Sequence, residues 1–187
     1  MPAGVAIGTL QATHHATNIR RLAPADAASY RALMLEAYTR HPAAFTSSAD
    51  ERGALPLQWW ASRLDVAPDA ATVVLGAFEE DRLVGAAGIG FETRAKARHK
   101  ATLFGMMVAE SSRGGGIGRA LVEAALALAR ARDGVLVVNL TVTEGNTPAQ
   151  ALYERCGFVA FGVEPQAVAV GATFVAKTHM WRDLRTA

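Results

Sequence analysis

The sequence predicts an α/β fold, and three of its stretches carry that prediction. Residues 103–128 read as an apolar strand, a glycine-rich turn and an amphipathic helix. Val135–Val142 is an almost unbroken apolar run, which is typical of a strand covered on both faces. Thr72–Phe78 and Leu83–Phe91 are rich in β-forming residues and flank four charged residues, so they predict a hairpin. Strands and helices that alternate in this way indicate a layered α/β domain.

Composition and charge narrow the class of protein. The chain has 187 residues, 51% hydrophobic and 19% charged, so we expect one globular domain over residues 1–187. The net charge of only +2 argues against nucleic acid or an anionic membrane as the partner. The single cysteine, Cys156, permits no internal disulfide, and a cytoplasmic protein is expected. Residues 1–18 lack the basic start of a signal peptide, and we expect a loose tail or an added strand there.

The first third of the chain predicts a strand and two helices. Ile19–Leu22 is a short strand candidate that ends before Pro24, a proline suited to a first helical turn. The helix that follows is expected to stop at His41, because the residue before a proline resists the α conformation. Thr46–Arg52 reads as a polar stretch, and Leu57–Leu64 as a second helix.

The second half opens with a strand at Ala101–Val108, directly before the glycine-rich turn. Further on, Thr147 is predicted to cap a helix with Pro148 at its first position and Gln150 at its third, a capping box. Gly157 is the expected stop of that helix.

Two more strands are predicted at the end of the chain, Phe158–Val163 and Thr173–Trp181, joined by a loop at Glu164–Gly171. No internal repeat, linker or low-complexity segment interrupts this pattern. The elements therefore read as one α/β domain.

Four glycines lie within five residues at the start of the predicted central helix: Gly114, Gly115, Gly116 and Gly118. The free N–H groups of a helix start and the helix dipole favour an anion there, and glycine lets the backbone approach it closely. A P-loop would need lysine and a hydroxyl after Gly118, where the chain has Arg119-Ala120. The dinucleotide spacing GxGxxG is not met either. Two interpretations stay open: another kind of phosphate-binding loop, and a turn that binds no ligand.

A longer pattern around these glycines resembles the GNAT superfamily of N-acetyltransferases. The family signature Gln/Arg-x-x-Gly-x-Gly/Ala is matched by Arg113, Gly116 and Gly118. The segment Asn146–Phe158 is similar to the family's Asn-x-x-Ala-x-x-Leu-Tyr-x-x-x-Gly-Phe segment, at the expected distance downstream. Two matches in register make the resemblance specific from about residue 103 to residue 158.

The resemblance implies a fold and a donor. The fold would be a mixed, mostly antiparallel sheet of about six to seven strands flanked by about four helices, with strands splayed apart around residues 101–108 and 135–142. The donor would be acetyl-CoA, with no metal. The cofactor-binding residues implied are Met106, Met107, Val108, Arg113, Gly114, Gly115, Gly116, Ile117, Gly118, Arg119, Asn146 and Tyr153.

Tyr153 is also the implied catalytic residue. A phenol, whose ordinary pKa is about 10, can protonate a departing thiolate, whose ordinary pKa is about 8.5. Packing of Tyr153 beside Phe158 is the alternative. No carboxylate lies on the strand before the glycine loop, and Leu140-Thr141-Val142 replaces the Leu-Glu-Val of ribosomal-protein N-terminal acetyltransferases. The base is therefore expected to be a water chain or an acid elsewhere, such as Glu92 or Glu144.

The function predicted is transfer of an acetyl group from acetyl-CoA to a primary amine, most simply of a small molecule, by direct attack in a ternary complex. A protein lysine or N-terminus as acceptor, and an acetyl-CoA sensor without catalysis, are the alternatives. A homodimer is compatible with the resemblance. Acceptor contacts are expected from aromatic residues and the last loop: Tyr38, Phe45, Trp59, Trp60 and residues 164–171. Cys156 is expected to pack in the core rather than to carry the acetyl group.

Overall fold

A computed structural model describes residues 17–185, which contain one seven-stranded sheet in the order β1-β2-β3-β4-β5-β7-β6. Every neighbouring pair is antiparallel except β4 and β5. The strands are β1 (Thr17–Arg21), β2 (Thr72–Glu79), β3 (Arg82–Phe91), β4 (Lys100–Val108), β5 (Val137–Thr143), β6 (Val159–Val170) and β7 (Thr173–Asp183). The predicted mixed, mostly antiparallel sheet is confirmed.

Five α-helices cover the sheet within the described residues, one more than the sequence led us to expect. They are α1 (Ala27–Arg40), α2 (Ala49–Gly53), α3 (Leu57–Ser62), α4 (Ile117–Ala131) and α5 (Thr147–Arg155). Short 3₁₀ turns precede α1, follow it, and precede the glycine loop, at Pro24–Asp26, Pro42–Ala44 and Glu110–Ser112. No helix within residues 17–185 has both the length and the apolar character that crossing a membrane requires.

Two hydrophobic clusters occupy the two faces of the sheet. Side chains alternate between faces along a strand, and so Val73 of β2 packs in one cluster while Val74 packs in the other. The first cluster contains the buried face of α4 together with Tyr153 of α5. The second contains Trp60 of α3 and the buried side chains of α1. Helices α1 and α3 therefore lie on the face opposite α4.

Helix α4 shows why its sequence folds as predicted. Apolar residues recur at helical spacing along one side, including Leu121 and Leu126, both 2% exposed or less. On the exposed side, the Nε of Arg119 donates to Glu123 Oε1 at 2.7 Å, one turn further on.

Two local predictions were wrong, and α2 was not predicted. The polar stretch before α3 contains α2, which Ser48 and Glu51 begin with a capping box: Ser48 Oγ accepts from Glu51 N at 3.1 Å, and Glu51 Oε2 accepts from Ser48 N at 2.9 Å. The cap of α5 is Asn146 rather than Thr147. The predicted loop at residues 164–171 is strand through Val170, because β6 and β7 stay paired past a register shift between Glu164 and Val168.

The predicted tail falls largely outside the described residues. Thr17 and Asn18 belong to β1, which pairs with β2 at the edge of the sheet. At the other edge, β6 exposes alternate apolar side chains, Val159, Phe161 and Val163.

The two parallel strands separate after a short contact. In the described part of the chain, β4 and β5 are in register only where Lys100–Thr102 meets Val137–Asn139. Beyond these residues β4 continues to Val108 and β5 to Thr143 without pairing to each other. Gly105, with φ +60°, lies on the part of β4 that diverges. The predicted splay of these strands is confirmed, and it leaves a gap in the middle of the sheet.

Candidate active site

A cavity of about 590 Å³ occupies the gap between the splayed strands. One wall comes from β4 and β5, including Met106 and Thr141. The cavity continues towards α1 and α3, where Tyr38 and Trp59 line it, and towards β7, where His179 lines it. It therefore connects both faces of the sheet, as a site for two substrates requires.

The glycine loop lies beside this cavity at the start of α4. Gly116 is the N-cap and has φ +81°, and Gly114 has φ +85°, so two glycines hold left-handed conformations. No side chain caps the first turn, and its N–H groups are left for a ligand. A Cβ on Gly118 would lie 3.2 Å from Leu152 Cδ2 and 3.4 Å from Met106 Cε. Glycine at that position lets the start of α4 pack closely against two side chains that line the cavity.

Arg113, the first residue of the signature, fastens this loop to its surroundings. Its Nε donates to Val108 O at 3.1 Å, and its Nη2 lies 2.9 Å from His41 Nε2. Glu110, 3.9 Å from Arg113 Nη1, pairs more closely with Arg40, at 2.8 Å. The guanidinium of Arg113 thus holds the glycine loop between the end of β4 and the end of α1.

Asn146 lies where β5 leads into α5. Its Oδ1 accepts from Ala149 N at 3.3 Å and so caps α5, and the side chain also lines the cavity. With the oxygen assigned to the cap, the amide nitrogen is available as a donor for another partner.

Tyr153 lines the same cavity from α5. The residue is 6% exposed, and its ring meets that of Phe158 edge to face with centroids 6.0 Å apart. Burial, with a smaller contribution from Cys156, raises the pKa of Tyr153 to about 12. The hydroxyl therefore stays protonated at neutral pH, so it can donate but not accept a proton there.

The cofactor-binding residues that the resemblance implied fall into three groups. Met106, Asn146 and Tyr153 line the cavity. Met107 and Ile117 are buried with their side chains in the two clusters, so only their backbone groups are free to meet a ligand. The third group runs from the last residue of β4 through the glycine loop into the first turn of α4, beside the cavity: Val108, Arg113, Gly114, Gly115, Gly116, Gly118 and Arg119. Their contacts with a cofactor stay predictions.

The expected acceptor aromatics, Tyr38, Phe45, Trp59 and Trp60, all line the cavity. The acids suggested as a base, Glu92 and Glu144, do not; Glu92 is bound to Arg94 at 3.0 Å. Cys156 is 4% exposed, and burial raises the pKa of its thiol, as expected of a packing residue. Within residues 17–185 no group of three or more His, Cys, Asp or Glu side chains could hold a metal ion.

Four polar residues that line the cavity were not found by reading the sequence: Arg52, Arg63, Lys177 and His179. None of the expected residues 164–171 lines it, but Glu164 Oε2 lies 2.9 Å from His179 Nε2. Lys177 and His179 alternate along β7, a spacing that could have placed both on one face of the predicted strand. The capping box of α2 could have revealed the helix that carries Arg52.

Comparison with known proteins agrees with this geometry. The model of the acetyltransferase (GNAT) family matches residues 30–158. The chain belongs to the acetyltransferase (GNAT) family. Membership confirms the predicted class of enzyme, an acyltransferase. The matched residues run from α1 to the end of the Asn146–Phe158 segment, so they include both stretches that carried the resemblance.

Individual GNAT relatives support the family and the fold. A mycothiol acetyltransferase from Salinispora tropica is 33% identical over 139 residues, 72% of this chain and 41% of the relative. The chain thus spans about two fifths of the length of the curated relatives it matches. A GNAT-family acetyltransferase from Streptococcus pneumoniae superposes with a TM-score of 0.78 at 25% identity, over 90% of this chain and 99% of that one. A ribosomal-protein-alanine N-acetyltransferase from Brucella melitensis gives 0.72 at 28% identity, over 89% and 99%.

Proposed function

We propose that this protein transfers the acetyl group of acetyl-CoA to a primary amine of a small molecule, by direct attack in a ternary complex with Tyr153 as the general acid. The observation that carries the proposal is the position of Tyr153. A buried phenol that stays protonated lies in the wall of a cavity between two splayed strands. Thioester aminolysis needs an acid at that point, where sulfur leaves.

The residues beside the cavity fit acetyl-CoA. The pantetheine arm is a chain of amides, and the edge of Met106–Val108 that faces the gap has no strand partner among the described residues. The pyrophosphate is an anion, and the uncapped first turn of α4 offers N–H groups behind two left-handed glycines. Asn146 would add an amide donor. The bound cofactor supplies an acyl group activated as a thioester.

The transfer step balances with two proton carriers. The amine nitrogen forms a bond to the acetyl carbon, and the bond from that carbon to sulfur breaks. Tyr153 gives its hydroxyl proton to the sulfur, and a base takes the proton that the nitrogen loses.

His179 is the group we assign as that base. It lines the cavity, and Glu164 Oε2 lies 2.9 Å from its Nε2. A carboxylate on Nε2 favours the tautomer that carries its proton there, which leaves Nδ1 as the proton acceptor. The candidates suggested by the sequence, Glu92 and Glu144, do not reach the cavity lining.

Two observations favour a small molecule as the acceptor. The curated relatives are named for mycothiol rather than for a protein, although this chain spans only two fifths of them. Thr141 stands where the Leu-Glu-Val pattern would place a glutamate, which argues against a peptide terminus as the acceptor. The homodimer with which the resemblance is compatible stays a prediction.

The test measures thiol release from acetyl-CoA over amino acids, polyamines, aminoglycosides and peptides. Tyr153→Phe should lower kcat with the best acceptor by about a hundredfold or more, since general acid catalysis contributes factors of about 10²–10⁴. Tyr30→Phe is the matched control, because Tyr30 lines the same cavity from α1 and its pKa is also raised to about 12 by burial. It should change kcat far less.

Three outcomes would count against the proposal. Full kcat in Tyr153→Phe, at unchanged melting temperature, would remove the acid. Turnover with peptides alone would move the acceptor to a protein. Tight binding of acetyl-CoA without thiol release for any amine would favour the sensor.

A further inference from the structure

Part of the cavity lining is cationic. Arg52 and Arg63 line it beside Trp59, and Lys177 lines the wall formed by β7. No Asp or Glu is among the lining residues within the described part of the chain. Glu164, which does not line the cavity, offsets part of the charge of Lys177. The two guanidiniums form no ion pair among the described residues, so an anion is the ligand that their charge favours.

The two guanidiniums are held by stacking rather than by ion pairs. Arg52 Cζ lies 4.7 Å and Arg63 Cζ 4.9 Å from the centroid of the Trp59 ring. Neither side chain has a hydrogen bond or a carboxylate within 4.0 Å among residues 17–185. A guanidinium stacked on an aromatic face keeps its N–H edges for a planar oxyanion, which it can bind through two parallel bonds.

The acidic residue next to Arg52 in the sequence, Glu51, does not form an ion pair with either guanidinium. Instead, its Oε2 accepts from Ser48 N at 2.9 Å and caps α2. On the other wall, Lys177 is 9% exposed, and burial lowers the pKa of its ammonium. A bound anion would favour the charged form of Lys177.

An orphan donor lies next to Trp59. Trp60 is 2% exposed and lines the cavity, and its Nε1 is the one buried side-chain nitrogen or oxygen without a hydrogen-bond partner among the described residues. An indole N–H can only donate. Because this nitrogen is shielded from the cavity, Trp60 contributes to the pocket by packing edge to face against Trp59, with ring centroids 5.3 Å apart, and not by donating to a ligand.

The cofactor does not account for these groups. Its pyrophosphate is assigned to the glycine loop, and none of residues 113–119 lines the cavity. Arg52 belongs to α2, Arg63 directly follows α3 and Lys177 belongs to β7, so none of the three cations comes from the glycine loop.

We propose that Arg52 and Arg63, both stacked on Trp59, form an anion subsite, so that the acceptor is an amine that also carries an oxyanion, a carboxylate or a phosphonate. The inference rests on the proposed acetyl transfer and deepens it, because it names the class of acceptor. Lys177 adds positive charge from the opposite wall. A polyamine or an aminoglycoside would bring further cations to this pocket and is disfavoured.

The test compares each amino acid with its own carboxamide as acceptor in the thiol-release assay. The two differ in charge but hardly in shape. Because the amide also has a less basic amine, kcat/KM is calculated on the concentration of neutral amine before the ratio, acid over amide, is taken. We expect a ratio of about ten or more for the best acceptor, in line with hydrogen bonds to a charged group. A comparison of β-alanine with 2-aminoethylphosphonate distinguishes a carboxylate from a phosphonate.

Variants then show which residues cause the preference for the acid over its amide. Arg52→Gln and Arg63→Gln should each bring the ratio towards one by lowering kcat/KM for the acid while leaving that for the amide nearly unchanged. Arg94→Gln is the matched control, since Arg94 lies in the turn before β4 and does not line the cavity. It should keep the full ratio.

A second readout does not depend on turnover. Binding of the same acids and amides can be followed by tryptophan fluorescence, because two of the three tryptophans, Trp59 and Trp60, lie in this pocket. Acetyl transfer to amides as fast as to acids, or ratios unaffected by both arginine variants, would overturn the subsite and leave the proposed function standing. Arginine-dependent binding of acids without any thiol release would support the subsite and refute the transfer. Failure of every acid to bind would overturn the subsite.

Discussion

Replacing Gly116 by alanine tests the glycine loop at the start of α4, because the backbone strain it introduces can be calculated. Gly116 has φ +81°, and an L-residue in the left-handed region costs roughly 1–2 kcal/mol. A Cβ there would meet no atom within 4 Å, so sterics outside the backbone add nothing. If the loop keeps its shape, the unfolding free energy should fall by about 1–2 kcal/mol, which is a loss of roughly 2–8 °C in Tm for a chain of this size.

The strain can also appear as lost affinity. If the loop relaxes to another conformation, stability is retained, and the strain must be restored when acetyl-CoA binds. Its Kd would then rise by about fivefold to thirtyfold, the equivalent of roughly 1–2 kcal/mol. Urea unfolding measures the loss of stability, and calorimetric titration with acetyl-CoA measures the loss of binding free energy. The sum of these two losses should be about 1–2 kcal/mol, whether the loop keeps its conformation or relaxes.

Gly115 provides the matched control in the same loop. A Cβ on Gly115 would also lie in open space, but its φ is not positive, so alanine there adds no left-handed strain. Gly115→Ala should leave the unfolding free energy unchanged or raise it slightly, because alanine restricts the unfolded chain. Equal unfolding losses for the two variants, or no loss of either kind in Gly116→Ala, would refute the strain argument.

Two further predictions concern proton transfer. Because burial raises the pKa of Tyr153 to about 12, the hydroxyl stays protonated as pH rises, and kcat should show no decline from its ionisation below about pH 10. A pH–rate profile, measured where the enzyme is stable, checks this. A fall in kcat in this range that is absent in Tyr153→Phe would contradict it. His179→Gln should lower kcat by at least about tenfold, with little change in the KM for acetyl-CoA. Glu164→Gln should lower kcat by less, since the carboxylate only orients the imidazole ring. Steady-state kinetics measure both effects, and an unchanged kcat would contradict the assignment of His179 as the base.

The loop that the resemblance assigns to the donor could be located from the sequence, at the start of a helix, because its signals are local. The glycines and Arg113 lie within six residues, and the start of a helix gives N–H groups to an anion whatever surrounds it. The splay of β4 from β5 is a tertiary feature that periodicity does not contain, and only the resemblance implied it. The cap at Asn146 was missed because Thr147 and Asn146 are both good N-cap residues, and sequence alone does not choose between neighbours.

The acceptor side could not be predicted in the same way, because its charges come from distant parts of the chain. Arg52 and Lys177 are 125 positions apart, and they approach one cavity only because α2 and β7 lie on either side of the splayed strands. The overall charge of +2 gives no hint of a pocket without acids, since acidic side chains lie in surface pairs such as Asp26 with Arg20. A nearly neutral chain can thus hold a pocket lined by cations, because the placement of the acids outside that pocket, rather than their number, sets the charge of its lining.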